Sequence, residues 1–478
     1  MINLKKLFFR RKKKSDIKTP ILDALYAYKK NPMTGFHIPG HNRGAAVLPK
    51  FIDLVGKDVF ALDTTDEFDN LGTLHPATGA IKRAQKLAQE AFNSQRTFFL
   101  TGGSTIGNLA IALGATKPNS QILIGRNCHR SVLCGMVITG AEPNWLIPKK
   151  LDDWAIFGSV SASAVEKKLK ENKNIALVWI TNPTYEGVIS DIKAISKVCK
   201  KYNVPLVVDE AHGSLWNFSD RLPQTALELG ADAVVNSLHK TGGSMVQSSM
   251  LHIAHNSLLD PDEVERALMM IHSTSPSMLF LASLDSARAY LNSKKGLELI
   301  DNAIDNALYF RDKAKNIKNV SVLSRKDQLN FDPTKIFIKV KGLSGIELEK
   351  ILEDEFRVEV ESASDEGILI LSNIGGRKSE FDYLLDCFKK IASREYTKTT
   401  ENVVKYTPLV DPEIIMTPRI AYFCEKEVVK KEEAIGRICS EIIALCPPGI
   451  SVLLPGELIR EEHLPYLTNF EKIEVVKN

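Results

Sequence analysis

One lysine and one aspartate, each following a short apolar segment, are the residues of this sequence best placed to do chemistry. Asp209 ends the apolar run Pro205–Asp209, and Lys240 follows Ala233–Asn236 after a few residues. A carboxylate can keep a pyridine-type ring nitrogen protonated, so that the ring accepts electrons from a carbanion. A lysine whose pKa is lowered by burial becomes a nucleophilic amine. Each residue alone is also typical of an ordinary loop, and it is together with a phosphate-binding turn that they indicate a pyridine-aldehyde cofactor.

A turn that could bind phosphate is the third feature of this pattern. The segment Leu100–Asn108 (LTGGSTIGN) joins a predicted strand to a predicted helix. Backbone N–H groups at a helix N-terminus, together with the hydroxyls of Ser104 and Thr105, can bind a phosphate. Ser237, shortly before Lys240, offers a further hydroxyl. Taken alone, the turn is more typical of a serine N-cap after a glycine turn.

The letters DEAH at residues 209–212 also fit a helicase box, which is an alternative from another class of protein. A nucleotide-hydrolysing motor of that class needs a loop of the form G-x-x-x-x-G-K-[ST]. The sequence contains no Gly-Lys-Ser or Gly-Lys-Thr, and Asn108 stands where that loop needs its lysine. A DEAH-box nucleotide hydrolase is therefore disfavoured.

Histidine and cysteine are not spaced for a metal ion. The seven cysteines are scattered and form no CxxC pair, which is typical of a reducing compartment and argues against a zinc ribbon. His37 and His41 are four residues apart, but Pro39 and Gly40 prevent the helix that would place them on one face. We therefore expect no metal site.

Short apolar strands that alternate with helices must position these residues. The predicted strands are Thr97–Leu100, Gln121–Ile124, Ile175–Thr181, Pro205–Asp209 and Ala233–Asn236, and the predicted helices include Ile81–Phe92, Ser161–Glu171, Ile192–Tyr202 and Pro223–Leu229. This alternation predicts an α/β fold with a mostly parallel, helix-flanked sheet whose strands are covered on both faces. Such sheets bind ligands at the carboxyl ends of their strands, where the aspartate, the lysine and the glycine turn would all lie.

The length of 478 residues allows several domains. We expect a basic disordered tail at 1–18, an N-terminal segment at 19–75, a large cofactor-binding domain at 76–300, a small α/β domain at 301–395 and a C-terminal domain at 396–478. Strands are predicted near Lys335–Lys341 and Gly367–Ser372 of the small domain, and a helix is predicted at Lys431–Ala444 of the C-terminal domain.

Composition and charge narrow the class of protein. The chain is 44% hydrophobic and 25% charged, with a net charge of +4, which does not suggest a nucleic-acid binder. Part of the excess positive charge lies in the basic tail. We interpret this tail as solvated, with weak contact to anionic lipid or RNA as the alternative. The tail has no signal-peptide core, and no run of 18 apolar residues occurs, so we expect a cytoplasmic protein without a membrane span.

Several motifs in a fixed order give the sequence a specific resemblance. They are FHIPGH (36–41), LHPATGAIKRAQ (74–85), NCHRSV (127–132), NPTYEGV (182–188), VDEAHG (208–213), SLHKTGGSMVQSS (237–249), STSPS (273–277), MTPR (416–419) and CPPGISVLLPGE (446–457). From about Thr34 to Pro465 the sequence resembles the bacterial ornithine/lysine/arginine decarboxylases, which are fold-type-I pyridoxal-phosphate enzymes, and among them the short biosynthetic arginine decarboxylases. The resemblance implies a transferase-like large domain and a smaller α+β C-terminal region.

The resemblance also implies the roles of the central residues. Lys240 would hold pyridoxal 5'-phosphate as a Schiff base, and Asp209 would pair with the nitrogen of its ring. His129 would stack on that ring and could assist a protonation. The neighbouring sequence of His129, between Cys128 and Arg130, would otherwise favour an ordinary surface histidine.

Further residues would surround the cofactor according to the same resemblance. His212 would lie near the ring oxygen, and Thr274 would reach the phosphate of a neighbouring subunit. That contact requires a homodimer or larger homo-oligomer with shared active sites. The phosphate or its approach would be surrounded by Ser104, Thr105, Ser237 and His239.

The implied reaction is decarboxylation of a basic amino acid, favouring arginine to agmatine over lysine to cadaverine or ornithine to putrescine, as a step towards polyamines. The distal cation of such a substrate needs a carboxylate, for which Glu457 and the cluster Asp66, Glu67 and Asp69 are candidates. Cys446 stands where the family usually has a tyrosine before Pro-Pro-Gly. An aminotransferase, a carbon–sulfur lyase and a non-catalytic binding protein of the same fold are the alternatives.

Overall fold

The structure is a computed structural model that describes residues 17–66, 70–324, 330–396, 410–445 and 450–477. The predictions that concern residues 1–16 of the basic tail, Glu67, Asp69, Cys446 and most of the linker at 396–411 lie outside this part of the chain. Within the described ranges, no helix has both the length and the apolar character needed to cross a bilayer.

A mixed sheet forms the centre of the large unit. The strands of this unit are β1 (Arg96–Leu100), β2 (Gln121–Gly125), β3 (Glu142–Leu146), β4 (Lys150–Leu151), β5 (Ile156–Phe157), β6 (Ile175–Thr181), β7 (Leu206–Asp209), β8 (Ala233–Asn236) and β9 (Ser249–Ile253). Within the described residues the main sheet has the order β1-β9-β8-β7-β6-β2-β3. The run from β3 to β8 is parallel, whereas β9 is antiparallel to both of its neighbours. The predicted mostly parallel α/β sheet is confirmed.

Helices cover both faces of this sheet. The helices of the large unit are α1 (Pro20–Lys30), α2 (Pro49–Val55), α3 (Lys57–Leu62), α4 (Gly79–Phe92), α5 (Gly103–Ala115), α6 (Arg130–Thr139), α7 (Ala162–Glu171), α8 (Ile192–Tyr202), α9 (Leu238–Thr241), α10 (Pro261–Ile271) and α11 (Met278–Leu291). Consecutive strand residues enter opposite cores: Trp179 packs in one apolar cluster, and Val178 and Ile180 pack in the other. The period of two in a strand thus explains why its sequence is apolar throughout.

The predicted helix at Pro223–Leu229 is wrong. The segment forms turns, because the backbone N–H of Ala226 donates to the buried carboxylate of Glu210 at 2.7 Å instead of entering a helical ladder. A tertiary hydrogen bond has overridden the weak local preference of a short segment.

A smaller unit follows the large one. Its strands β10 (Val320–Val322), β11 (Lys335–Val340), β12 (Ser362–Ala363) and β13 (Ile368–Leu371) form an antiparallel sheet in the order β10-β11-β13-β12. The helices α12 (Lys294–Ala314), α13 (Gly345–Phe356) and α14 (Lys378–Ala392) enclose its apolar core. Both strands predicted in this unit are confirmed.

The C-terminal unit consists of short strands and turns. It contains α15 (Pro418–Phe423), β14 (Lys426–Lys430), β15 (Ile443–Leu445), β16 (Ile450–Leu453) and β17 (Lys472–Val476), and its strands pair as β14 with β17 and β15 with β16. The predicted helix at Lys431–Ala444 is wrong. Gly436 adopts a φ of 80°, and Cys439 donates its N–H to the carbonyl of Glu457, so the segment pairs with a distant strand-like segment instead.

Candidate active site

A cavity of about 420 Å³ lies at the carboxyl ends of the parallel strands. Asp209 reaches it from the end of β7, and Lys240 reaches it from α9, which follows β8. The residues predicted from sequence that line this cavity are Ser104, Thr105, His129, Asp209, His212, Ser237, His239 and Lys240. The structure therefore brings the lysine, the aspartate and the glycine turn to one space.

Lys240 belongs to a chain of three basic side chains. Its Nζ lies 2.8 Å from Nε2 of His212, and Nδ1 of His212 lies 2.8 Å from Nζ of Lys335. Burial lowers the pKa of Lys240, which favours the neutral amine that nucleophilic chemistry needs. Burial and the two flanking lysines hold the pKa of His212 well below its usual value. Lys335 was not predicted, since a lysine at the start of a strand carries no signal of its own.

Asn108 connects Asp209 to His129. Its Nδ2 donates to Oδ2 of Asp209 at 3.1 Å and to Oγ of Ser131 at 2.9 Å. Ser131 Oγ in turn lies 2.8 Å from Nδ1 of His129, which also accepts from the backbone N–H of Ser131. Nδ1 is thereby an acceptor, so the neutral ring carries its proton on Nε2. Oδ1 of Asp209 accepts from the N–H of Ala211 at 3.1 Å.

The glycine turn and the segment before Lys240 form a cup of hydroxyl groups. Oγ of Ser104 lies 2.7 Å from Oγ of Ser237 and 3.3 Å from Oγ of Ser249. The first residue of α5, Gly103, has a φ of 71° and lines the cavity, so the positive end of this helix faces the cup. Hydroxyl groups and a helix N-terminus are the groups that bind a phosphate.

Unpaired polar atoms in the cavity wall indicate that the site is built for a ligand. Oδ1 of Asn108, Oδ1 of Asn127 and Oγ1 of Thr181 are buried and have no hydrogen-bond partner within the described residues. Such atoms are costly unless a ligand or water satisfies them. An amine, a carboxylate at a strand end and a phosphate cup around one cavity fit pyridoxal 5'-phosphate. No group of three or more potential metal ligands occurs in the described ranges.

An exposed carboxylate that sequence reasoning missed, that of Glu361, is hydrogen-bonded to a residue of the cavity wall. Tyr185 lines the cavity with its ring edge-on to His212 at 4.9 Å, and its hydroxyl donates to Oε1 of Glu361 at 2.7 Å. Glu361 is exposed, and its charge acts on Lys240. Glu186 also lines the cavity, but burial raises its pKa and Thr184 donates to its Oε2.

Glu457 is not placed to bind a substrate. Arg126 donates to both of its oxygens at 2.7 and 2.8 Å, and the N–H of Leu454 donates to Oε2 at 3.0 Å. Only 1% of each side chain of the ion pair is exposed. The prediction of Glu457 as the distal carboxylate fails because its oxygens are already used within the protein.

Asp66 and Thr274 also lie outside the wall of the cavity. Asp66 is buried and its Oδ2 accepts from the N–H of Leu74 at 3.0 Å, so this oxygen is already hydrogen-bonded within the protein. Thr274 is exposed in the loop between α10 and α11. Its side chain is therefore open to contact from another subunit.

Comparison with known proteins identifies the family. The description "Orn/Lys/Arg decarboxylase, major domain" matches residues 19–328, and "Orn/Lys/Arg decarboxylase, C-terminal domain" matches residues 399–478. An arginine decarboxylase of Bacillus subtilis is 35% identical over 95% of this chain and 94% of its own length. A lysine decarboxylase of Hafnia alvei is 24% identical over 94% of this chain and 74% of its own length.

Solved structures show the same fold. The constitutive lysine decarboxylase of E. coli superposes with a TM-score of 0.84 at 21% identity, covering 96% of this chain and 82% of that one. The lysine decarboxylase of Francisella novicida superposes with a TM-score of 0.83 at 22% identity, covering 97% and 82%. The cavity fits the cofactor of these enzymes, and the family matches span most of the sequence. The chain belongs to the Orn/Lys/Arg decarboxylase family, whose members decarboxylate basic amino acids with pyridoxal 5'-phosphate.

Proposed function

We propose that this protein decarboxylates arginine to agmatine, with the cofactor attached to Lys240. The observation that carries the proposal is the shared cavity, in which the amine of Lys240, the carboxylate of Asp209 and the cup around Ser104 surround one space. Arginine is favoured because the relative named arginine decarboxylase is 35% identical over nearly its whole length, whereas the lysine decarboxylase of Hafnia alvei is 24% identical. Agmatine made in the cytoplasm would feed polyamine synthesis.

The residues divide the work of holding the cofactor. When bound, the cofactor supplies an aldehyde for attachment and a cationic ring that accepts the electrons released as the carboxylate of the substrate leaves. Asn108 and the N–H of Ala211 each donate to one oxygen of Asp209, and these two hydrogen bonds fix the orientation of the carboxylate at the cavity wall. That carboxylate would hold a proton on the ring nitrogen of the cofactor. The cup of hydroxyl groups around Ser104 would bind the phosphate of the cofactor, and Thr105 and His239 line the same cavity.

Proton transfer to the α-carbon needs a donor in the cavity. His129 has its Nε2–H available as a hydrogen-bond donor, because its Nδ1 accepts from Ser131, and burial lowers its pKa, so the neutral ring would orient a group in the cavity without giving up its proton. Lys240, when it is not attached to the cofactor, would be the proton donor in its ammonium form. Both groups border the same space, so a proton donor and a group that can orient the acceptor lie in one cavity.

Glu361 is our candidate for binding the distal guanidinium. It is exposed and hydrogen-bonded to Tyr185 of the cavity wall, and its second oxygen can join the first in a bidentate contact with a planar guanidinium. Tyr185 orients this carboxylate from within the cavity wall. Glu186 is less suited, because burial raises its pKa and so favours its neutral form.

A homodimer with shared sites completes the proposal. The N-terminal segment exposes large apolar side chains, with exposed fractions of 98% for Phe36, 69% for Leu48 and 80% for Leu54. Such a set of apolar side chains is typical of a surface covered by another chain. Thr274 is exposed, although His272, two residues earlier, is buried. Thr274 would contact the phosphate in the partner's cavity.

A product assay tests the proposed reaction. The purified protein with added cofactor is incubated in parallel with arginine, lysine and ornithine, and carbon dioxide and amine are measured. We expect both products in equal amounts, with the highest kcat/KM for arginine. A keto acid product would show transamination instead, and a higher kcat/KM for lysine or ornithine would overturn the assignment of the substrate.

A further inference from the structure

Two histidines that the chemistry above does not use are hydrogen-bonded to each other and to the glycine turn. His75 lies in the turn before α4, and His272 directly follows α10. Nε2 of His75 lies 2.8 Å from Nδ1 of His272. The other ring nitrogen of His272, Nε2, accepts from the backbone N–H of Thr101 at 3.1 Å and lies 2.9 Å from its hydroxyl. Neither ring belongs to the described wall of the cavity.

The backbone of Thr101 determines the direction of both hydrogen bonds. A backbone N–H can only donate, so Nε2 of His272 accepts and carries no proton. The proton of His272 is therefore on Nδ1, from which it is donated to Nε2 of His75. Each ring has one nitrogen that accepts, so both rings are neutral. Burial, which lowers the pKa of each histidine to about 4, agrees with this assignment.

The hydrogen bond from Thr101 fixes the start of the glycine turn. Thr101 lies between β1 and α5, and the next two residues are glycines, which restrain the backbone little by themselves. The N–H of Gly103 donates to the carbonyl of Gln247 at 2.7 Å. Partners from two other segments, His272 and Gln247, thus hold the turn from outside.

The held turn determines where the next N–H groups point. The first N–H groups of a helix have no acceptor within the helix, and in α5 these include the N–H groups of Ser104 and Thr105. Such groups bind a phosphate when they point at one space. Ser104 and Thr105 both line the cavity. A shift of the turn at Thr101 would therefore move the two N–H groups best placed to bind the phosphate.

We propose that His272 is a positioning residue for the phosphate of the cofactor. It accepts from Thr101 and so holds the glycine turn, and His75 fixes the tautomer that allows it to accept. The inference rests on the proposed function, because it takes the cup around Ser104 as the phosphate site. It adds a role for two side chains that do not touch the cofactor.

Pyridoxal, which lacks the phosphate, separates this role from a general structural one. A histidine that only stabilises the fold would affect the binding of both forms of the cofactor. A histidine that positions the phosphate turn affects the phosphorylated form alone. The ratio of the two dissociation constants is therefore the measurement that the inference requires.

The test titrates the full-length cofactor-free protein with pyridoxal 5'-phosphate and, separately, with pyridoxal, followed by visible absorbance. His272→Met removes the acceptor for the N–H of Thr101. We expect the dissociation constant of pyridoxal 5'-phosphate to rise about tenfold, because the donors to a charged group are displaced. The constant for pyridoxal should stay close to the wild-type value. In His272→Gln the side-chain oxygen can replace Nε2 as the acceptor, so both constants should stay close to those of the wild-type protein.

His252→Met is the matched control. His252 is also buried, and its Nδ1 lies 2.8 Å from the hydroxyl of Thr97, which is on β1 four residues before Thr101. The same chemical change is thus made beside the same strand but away from the turn. It should leave the ratio of the two dissociation constants unchanged, whatever it does to the thermal stability of the protein.

The outcomes distinguish the inference from the proposed function. Equal weakening of both cofactor forms in His272→Met, or a selective loss of the phosphorylated form in His252→Met, would overturn the inference and leave the proposed function standing. A wild-type protein that binds both forms equally would overturn the proposed phosphate cup, and the inference with it. If His272→Met does not fold, His272→Gln decides, since a selective loss of pyridoxal 5'-phosphate binding in that variant contradicts the role of the acceptor.

Discussion

At the scale of single residues, Asn108 connects the acidic residue Asp209 to the segment that holds His129. One amide group donates to Asp209 and to Ser131, and Ser131 orients His129. Two groups whose chemistry differs are therefore positioned by one side chain. A hydrogen bond to a buried charged group contributes about 1.5–3 kcal/mol, so a loss of Asn108 should disturb both.

We predict that Asn108→Ala lowers kcat by about tenfold or more, because Asp209 loses a donor worth at least 1.4 kcal/mol. KM should change less, since the proposed contact of the substrate with Glu361 is untouched. Steady-state kinetics with cofactor in excess measures both constants. Asn144→Ala removes an amide that donates to Gln121 at the far end of the sheet and serves as the control. Equal losses in the two variants would contradict the prediction.

Glu361 permits a second prediction at this scale. Glu361→Gln removes the charge proposed to bind the guanidinium but keeps the size of the side chain. We expect KM for arginine to rise about tenfold or more while kcat changes little, since an interaction with a charged group is lost before the chemical step. Glu359→Gln, an exposed carboxylate two residues earlier, is the control. A loss of kcat with KM unchanged would instead assign Glu361 to the reaction itself.

The sequence was sufficient to predict those site residues whose side-chain chemistry and position after a strand point to the same role. Asp209 and Lys240 follow apolar strands, so the α/β pattern places them at one edge. Lys335 belongs to a different unit, and no local sequence pattern predicts its contact with His212. The prediction for Glu457 was wrong for the same reason. Its neighbours in the sequence indicate an exposed turn, whereas its ion-pair partner Arg126 lies 331 positions away in the sequence.

At the scale of elements, β16 attaches the C-terminal unit to the large unit beside the site. Ile450 lines the cavity and forms a bridge with His129, and the carbonyl of Val452 accepts from Arg126. The guanidinium of Arg126 also lies 4.3 Å from the ring centroid of Trp145. The Arg126–Glu457 ion pair thus anchors this strand directly behind the segment that carries His129.

We predict that Glu457→Gln destabilises the protein by about 3–5 kcal/mol, because it leaves the guanidinium of Arg126 buried without its charge partner. The control is Glu355→Gln. Glu355 makes an equally bidentate pair with Arg394, at 2.7 and 2.9 Å, but with 42% and 44% of the two side chains exposed. That change should cost far less than the loss of the buried charge, because solvent screens an exposed ion pair. Urea unfolding of both variants compares the costs, and similar midpoints would contradict the assigned role of burial.

The errors at this scale have a common origin. The segments at 223–229 and 431–444 have helix-forming residues, yet in both some backbone N–H groups, including those of Ala226, Gly436 and Cys439, donate to partners elsewhere in the fold. Tertiary partners overrode the local preference, and a single sequence does not contain that information. The strands at the centre of the sheet were predictable, because burial on both faces leaves an uninterrupted apolar pattern.

At the scale of the whole molecule, the cavity of one chain holds every predicted residue of the cofactor site except Thr274. That residue is exposed, as the apolar side chains of the N-terminal segment are. A twofold dimer would cover such a surface and bring Thr274 to the partner's phosphate cup. Each site would then combine Lys240 of one chain with Thr274 of the other.

We predict that two inactive variants restore activity when they share a dimer. Lys240→Ala removes the attachment of the cofactor, and Thr274→Asp places a negative charge beside the phosphate. In a mixed dimer one site carries both changes and the other carries neither. Random exchange makes half of the dimers mixed, so activity should return to about a quarter of the wild-type value. Mass measurement confirms mixing, and mixed dimers without activity would show that Thr274 serves its own chain or neither.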